Sequence, residues 1–532
     1  MISSLSCMCI AGSMVFLLAG IVSEGAESGD APATRLDAAM RDAAWGQAEL
    51  ALRKEIGDWT KTAIRRQADL PFQGGHDEAN YTASWAEYHR LTGDPKPIEF
   101  MRALRDQIVA WPKLYHGFYP DADMDIEHSI ENWTEFMSAL ARVTEDEKAI
   151  AAIEDVVHHL GNWVPDIPAW YDWKTHRFTS EWLGTRKVRN FPPYDATTYW
   201  DARAAELALT YFELKGDRKY LDWAADYAGE WARVLLEAKD TGPWCLFPIT
   251  DREEIKRRYA AYPEDFQTRN KGWLGEMGRL FLHLYRLTKD ERFQRAALKI
   301  IEQTQPPALS KAAYQEATGD MRFKAELDAA SGAEKDFAAM LDEPLPTILL
   351  LEGDTTYPVR KYAYRAANGE IKDCRVSAGG LSQAFRATGD PRFAARAFEL
   401  AAIELRLANR TLRDGREHGC NGRFVHGAGG AAVSRLCSAA DGKEIEYSGP
   451  KGALGLPAGV AALIWVGREQ PNQRRIYLYN DSAQAQAVTV RFSKDQPPMQ
   501  SAAGEDGRSL LKNGAASVLL PAKKVTVLVV RN

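Results

Sequence analysis

Leu91-Thr92-Gly93-Asp94-Pro95 is a short phrase with a definite physical reading. Glycine takes the left-handed conformation that closes a helix. Aspartate accepts the first free N–H groups of the next helix, and proline suits that helix's first turn. The phrase therefore joins two helices through a tight turn. It recurs with variations as Val143-Thr-Glu-Asp146, Leu214-Lys-Gly-Asp217, Leu287-Thr-Lys-Asp290, Ala317-Thr-Gly-Asp320 and Ala387-Thr-Gly-Asp390-Pro391. The segments before these turns are apolar and aromatic, as in Trp85-Ala-Glu-Tyr88 and Leu280-Phe-Leu-His-Leu-Tyr285. Repeated helical hairpins build an open solenoid or a closed toroid. Solenoid repeats keep a period of roughly 34 to 47 residues. Here the spacing is irregular, and long aromatic loops intervene from Trp111 to Glu127 and from Trp163 to Tyr194. The expected architecture is mainly α, an (α/α) toroid barrel of about six or seven hairpins with a cleft built by loops on one face. A further helical pattern from Thr34 to Ala68 leads into it.

Beyond Arg416 the pattern changes. A glycine-rich stretch, Gly419 to Gly430, is followed by candidate strands at Ala461–Val466, Arg474–Asn480, Ala487–Phe492, Ala516–Leu520 and Val525–Arg531. Val488-Thr-Val490-Arg-Phe492 alternates as a half-buried strand does. The expected division is residues 1–26 as a signal peptide, 27–415 as the barrel, and 416–532 as a glycine-rich connection and a small antiparallel β domain.

The chain has 532 residues and a net charge of −6 with acids and bases well mixed, so it lacks the basic stripe of a nucleic-acid binder. Its 15 Trp and 20 Tyr are a heavy aromatic load, part of it ordinary core and part of it suited to a sugar cleft, where aromatic faces cover C–H-rich sugar faces; Trp133 and Trp273 are candidate platforms. Cys9 to Val22 is an apolar run ending at the small residues of Ser23-Glu-Gly-Ala26, the pattern of a secretory signal and too short to span a bilayer comfortably. Nothing later in the sequence is apolar enough to span, so the expected product is secreted or periplasmic, with no membrane partner after cleavage. In that oxidising setting Cys420 and Cys437, which flank the glycine-rich loop, could pair as a disulfide; the sequence leaves open whether they do.

The aspartate of each repeated turn serves as a ruler. Eighteen and fourteen residues before Asp94 stand His76 and Asn80; the same offsets from Asp146 give His128 and Asn132, and from Asp217 they give Tyr199 and Arg203. Each pair is spaced i,i+4 and shares one helical face. Successive inner helices thus present these side chains near their N-terminal ends, where free N–H groups and the helix dipole favour anions. Just before the third helix, Arg189-Asn-Phe-Pro-Pro-Tyr194 gathers an arginine and a tyrosine in a proline-stiffened loop. Tyrosine has a pKa of about 10, and a nearby guanidinium favours its phenolate. Neutralising a sugar carboxylate at such a site acidifies the adjacent C5 proton, and a tyrosinate removes it. This is the acid–base logic of β-elimination.

These residues resemble helical-toroid polysaccharide lyases acting on alginate or glucuronan, which use Asn, His, Arg and Tyr in this order along successive inner helices. Polysaccharide lyase family 38 looks most similar. The resemblance covers about Thr34 to Arg410. It implies Asn80 and His128 on the substrate carboxylate, Arg189 tuning the tyrosine, and Tyr194 or Tyr199 as base and acid, with His76, Asn132 and Arg203 binding substrate. It also implies an anionic polysaccharide as partner and no cofactor in the chemistry.

Other features compete. Asp121, Asp123 and Asp125 alternate as at the start of a calcium loop, beside His128, and offer a structural Ca2+ site; the glycine and late glutamate of an EF-hand are missing, and a solvated acidic loop is the alternative. Glu131, Asp195, Asp201 and Glu276 supply carboxylates for a glycoside hydrolase, which needs two at a set separation. A non-catalytic carbohydrate-binding helical repeat is the third class. His158-His159 falls on an outer helix and is expected to face solvent. For export, N-terminal sequencing of secreted protein is expected to begin near Glu27; an intact Met1 in a cytosolic fraction would remove the signal peptide and the oxidising setting together.

Overall fold

The computed structural model describes residues 39–69, 71–120, 125–191, 201–238, 263–304, 311–323, 325–326, 337–352, 359–411, 436–437, 439–440, 443–466, 473–492, 499–504 and 508–531. Tyr194, Tyr199, Asp121, Asp123, Asp195 and Cys420 lie outside them, as does the expected signal peptide.

The helices are α1 (Ala44–Asp69), α2 (Ala83–Thr92), α3 (Lys96–Val109), α4 (Ile126–Ser129), α5 (Ser138–Thr144) and α6 (Glu147–Val157). After a small hairpin of β1 (Tyr171–Asp172) and β2 (Arg177–Phe178) come α7 (Ala202–Lys215), α8 (Arg218–Glu237), α9 (Pro263–Thr288), α10 (Glu291–Thr304), α11 (Lys311–Thr318) and α12 (Phe337–Asp342). A three-stranded antiparallel sheet follows, β3 (Ile348–Glu352), β4 (Val359–Arg365) and β5 (Ile371–Asp373), and then α13 (Ala378–Thr388) and α14 (Pro391–Thr411).

All six turn phrases are built as the sequence dictates. Gly93, Gly216, Gly319 and Gly389 have positive φ, and so do Glu145 and Lys289 at the turns that lack glycine. Asp94, Asp217, Asp290, Asp320 and Asp390 each accept the N–H two residues on, and Asp146 accepts that of Ala149. The threonines supply a bond the sequence reading did not assign. Thr92, Thr288, Thr318 and Thr388 donate to the carbonyl four residues back at 2.7–2.8 Å and accept from the aspartate N–H at 3.1–3.2 Å. Each hydroxyl thus satisfies one orphan carbonyl of the ending helix and fixes the cap of the next.

The chain divides into two compact units. One comprises Pro71–Ala83 and Glu99–Ala333; the other comprises Met1–Leu70, Ser84–Ile98 and Glu334–Asn532. The grouping differs from a cut near residue 415: α1, α13 and α14 belong with the C-terminal strands. In that second unit β6 (Ala439–Ala440), β7 (Lys443–Ser448), β8 (Val460–Val466), β9 (Gln473–Asn480), β10 (Gln486–Phe492), β11 (Ser501–Gly504), β12 (Leu511–Lys512), β13 (Ala515–Leu520) and β14 (Lys524–Arg531) form two antiparallel sheets. Their orders are β12-β13-β10-β7-β6 and β11-β14-β9-β8. The five strands expected from the sequence are all present with ends within one residue. One apolar cluster joins both sheets to the helices: Trp45, Leu52 and Ile56 of α1, Phe398 and Leu405 of α14, Val488 and Val490 of β10, and Leu478 and Leu528 of β9 and β14. Arg53 carries its charge into this core, paired at 2.8 Å with Glu49 and donating to the Val460 carbonyl.

One expectation needs correction here. Strands β3–β5 fall in a stretch expected to form helical hairpins, and Leu349 and Ala363, on β3 and β4, are buried. Cys437 is buried, and Cys420 lies outside the described residues.

The turns also rank their glycines. Gly93 has φ +70°, and a Cβ there would collide with the Leu454 carbonyl, while Leu456 N–H donates to Leu91 O at 2.8 Å across the same contact. Gly216 has φ +76° with nothing within 4 Å of its would-be Cβ. Gly216→Ala is expected to cost about 1–2 kcal/mol, the left-handed penalty alone, and Gly93→Ala clearly more. Thermal melts of the two variants check this; equal shifts would mean that the Gly93 contact is slack.

Candidate active site

The site lies within the unit formed by Pro71–Ala83 and Glu99–Ala333, and α4 organises it. Asp125 is the N-cap, extended at φ −66° and ψ 165°, and its Oδ1 accepts the backbone N–H of His128 at 2.9 Å. The same carboxylate holds His128 Nδ1 at 2.8 and 2.9 Å, and Glu127 Oε2 stands 3.0 Å from that nitrogen. Burial by itself would push the His128 pKa down. Asp125 and Glu127 outweigh it and raise the value to about 11. His128 is therefore a fixed imidazolium at neutral pH, a cation and not a base.

Glu127 is buried, which by itself favours its neutral form, but Arg203 and then His128 bring its pKa down to about 2. Arg203, on the first turn of α7, reaches four carboxylates. NH1 contacts Glu127, Glu131 at 3.4 Å and Glu135 at 3.9 Å, and Nε bonds Glu276 of α9 at 3.2 Å. Burial disfavours the guanidinium's charge, but those four acids hold it on. Glu127, Glu131 and Glu135 are spaced i,i+4, and past Glu131 the helix widens into a five-residue π turn, Trp133–Met137. Such widenings are frequent at functional sites.

The neighbouring entrance meets this one. The His76 and His128 rings are 5.0 Å apart and nearly perpendicular, and His76 Nε2 lies 3.8 Å from Glu131 Oε2. Asn132 is the bridge. Its Oδ1 accepts from Ala79 N–H at 3.3 Å, and its Nδ2 donates to Gly75 O at 3.0 Å, which fixes the segment that carries His76 and Asn80. Asn80 is 1% exposed, and among the described residues neither its Oδ1 nor its Nδ2 has a hydrogen-bond partner. A buried amide left unpaired costs about 1–3 kcal/mol.

The shared register read from the sequence therefore does bring His76, His128, Asn132 and Arg203 together. Three assignments change. Arg203 is enclosed by carboxylates and anchors the site rather than binding substrate. Asn132 positions the adjacent segment. Trp133 is buried, with Nε1 donating to Ala152 O at 3.0 Å, and is core rather than a sugar platform. Asp125 gives both of its oxygens to His128. The Arg189 guanidinium lies 4.7 Å over the Trp182 ring, and its carbonyl accepts from Ser180 Oγ at 2.6 Å. The side chain of Trp273 falls outside the described part of α9. The sequence reading missed Glu127 and Glu135 as partners of Arg203, although their i,i+4 spacing with Glu131 was visible. It also placed His158 and His159 in solvent, whereas His159 is 1% exposed.

No family model and no curated protein matches the chain. Among solved structures, it is similar to an unsaturated glucuronyl hydrolase specific for heparin, at 13% identity over 66% of this chain and 98% of that one, with a TM-score of 0.33. It is also similar to a GH127 β-L-arabinofuranosidase from Geobacillus stearothermophilus T6, at 11% identity over 93% and 79%, with a TM-score of 0.31. At scores of this size the function rests on the site's own chemistry.

The charges give a pH signature. His128 is raised from 6.5, so its contribution to stability is fully present below about pH 6.5 and lost as pH climbs toward 11. Glu127 is depressed from 4.5, so its contribution is present above about pH 4.5 and lost as pH falls toward 2. Melting temperature is expected to fall between pH 7 and 10 more steeply in the wild type than in His128→Gln; parallel curves would refute the imidazolium.

Proposed function

We propose that the protein is a polysaccharide lyase that cleaves a uronic-acid polymer, of alginate or glucuronan type, by β-elimination. The observation that carries the reading is the His128 imidazolium, partly exposed and fixed by Asp125 and Glu127, beside the entrance that holds the unpartnered Asn80 amide. A hydrolytic site needs a protonated carboxylic acid and a carboxylate or activated water. A lyase site needs a fixed positive charge and amide donors for the substrate's carboxylate. Glu127, ionised down to about pH 2, is a poor proton donor at neutral pH, and Glu131 and Glu276 are paired to Arg203.

In this reading the uronate carboxylate sits against His128 and Asn80. Their charge and dipole stabilise the second negative charge that develops when C5 loses its proton. Tyr194 or Tyr199 removes that proton as the phenolate, with Arg189 lowering its pKa. A tyrosine or histidine protonates the departing O4 as the C4–O bond breaks and C4=C5 forms. Closure of the helical hairpins into an (α/α) toroid, and export to the periplasm or medium, belong to the same proposal.

The test is ultraviolet absorbance of an unsaturated uronate when the protein is incubated with a panel of uronic acid polymers. Tyr194→Phe or Tyr199→Phe, one of the two, is expected to lower turnover about a hundred- to ten-thousand-fold while substrate still binds. His128→Ala and Asn80→Ala are expected to lose about 100- to 1,000-fold. Glu276→Gln is expected to lower stability through Arg203 more than turnover. The density of buried carboxylates favours hydrolysis as the second reading. It takes over if products form without the chromophore and an Asp201 or Glu131 variant is dead while both tyrosine variants stay active.

A further inference from the structure

A second cluster of ionisable groups lies away from His128. Tyr115-His116-Gly117-Phe118 is a tight hairpin closed by Tyr115 N–H to Phe118 O at 2.8 Å and Phe118 N–H to Tyr115 O at 2.9 Å. Both central residues have positive φ, +51° at His116 and +73° at Gly117, the geometry of a type I′ turn. Gly117 is required: a Cβ there would lie 2.5 Å from Val156 Cγ2 and 2.9 Å from the Trp133 ring. The turn is pressed against α6, and His116 is delivered to the residues that end that helix, His158 and His159. Histidine at positive φ is uncommon and tends to occur where the surroundings over-determine it.

The three imidazoles pack closely. Ring centroids are 4.6 Å apart for His116 and His159, 4.1 Å for His158 and His159, and 5.9 Å for His116 and His158. One ring nitrogen from each comes within 4.8 Å of the others, and His158 Nε2 faces His159 Nε2 at 2.9 Å. Two carboxylates complete the group. Asp155 takes His116 Nδ1 at 2.7 Å, which turns Nε2 inward. Asp166 lies 3.0 Å from His116 Nε2 and 3.5 Å from His159 Nδ1. Neither of those last two nitrogens makes a hydrogen bond of good geometry, although both are buried.

We propose that His116, His158 and His159 bind one divalent transition metal ion of the zinc class, with Asp166 as fourth ligand. Three imidazole nitrogens and a carboxylate oxygen are a zinc donor set, whereas Ca2+ and Mg2+ take oxygen ligands. Asp155 behind His116 is the carboxylate that fixes a ligating imidazole's tautomer and orientation. The ion ties the 115–118 turn to the end of α6 and to the loop that carries Asp166. Its role is structural, and it is independent of the lyase reading.

The test uses the full-length protein, loaded with Zn2+, dialysed and measured by elemental analysis. One zinc per chain is expected, with loss in His158→Ala, whose ring is partly exposed, and in His116→Ala. Asp155→Asn is expected to weaken binding about 10- to 100-fold in competition with a chromophoric chelator. Co2+ in place of zinc is expected to give the visible bands of a tetrahedral nitrogen-rich site, a readout that needs no variant to fold. Metal-free protein after loading, or zinc retained in folded His116→Ala and His158→Ala chains, would overturn the assignment and leave a hydrogen-bonded histidine knot.

Discussion

Arg203 is the constraint on which the candidate site depends. One guanidinium serves Glu127 and Glu131 at the α4 entrance, Glu135 in the π turn and Glu276 on α9. Removing one partner of a buried ion pair costs about 3–5 kcal/mol because a charge is stranded; here several would be stranded together. A lysine would not substitute, since a point charge cannot divide itself among carboxylates approaching from different directions as a planar fork does. A second rung sits further along the same two helices. His283 of α9 is bonded at 2.8 Å to Glu206 and at 2.9 Å to Glu213, both on α7. Burial disfavours its charge, but the two glutamates raise its pKa to about 9. The α7–α9 pairing is thus keyed by charge as well as by apolar contact, which fixes the register at which Arg203 arrives.

The arrangement separates two jobs that charged residues often share. Arg203 and its glutamates hold the scaffold. His128 carries a charge that is held by Asp125 and Glu127, and a cation held rigidly at the site needs no reorganisation when a reaction calls on it. Asn132 works on the adjacent segment through two hydrogen bonds, and Asn80 on that segment keeps an unsatisfied amide. The sequence pairs His/Asn twice at the same spacing, yet the two asparagines have opposite roles, because one faces backbone and the other does not.

The legible part of the sequence was local. Gly93, Asp146, Asp217 and the other turn residues act on groups within four positions of themselves, so their effect can be read from a short window. The strands of residues 460–531 were legible for the same reason, through alternation. Of the two His/Asn pairs, His128/Asn132 lies on a helical run, whereas His76 stands in the turn ahead of a short 3-10 segment, Asn80–Thr82, so the entrances meet without the shared helical face expected of both. What escaped was set by partners far along the chain. Arg203 reads as a substrate ligand until Glu276 is brought beside it. Trp133 reads as a platform until Ala152 accepts its N–H. His158 and His159 read as solvent-facing until His116 is delivered by a turn some forty residues earlier. The two tyrosines of the 189–203 stretch lie outside the described residues, so the proposed base is read from the sequence alone.

The division of the chain has a consequence for its synthesis. One unit is interrupted: α1 belongs with Ser84–Ile98 and with residues from Glu334 onward, and most of the other unit is encoded between them. Trp45, Leu52 and Ile56 find their apolar neighbours on α14 and on strands about four hundred residues downstream. The inserted unit, whose helices are linked by local turns, has its partners at hand as soon as it is made. The interrupted unit cannot close until nearly the last strand is available, so α1 must wait with an oily face uncovered for most of translation. A nascent chain in that state is a natural client for a chaperone that masks apolar helices.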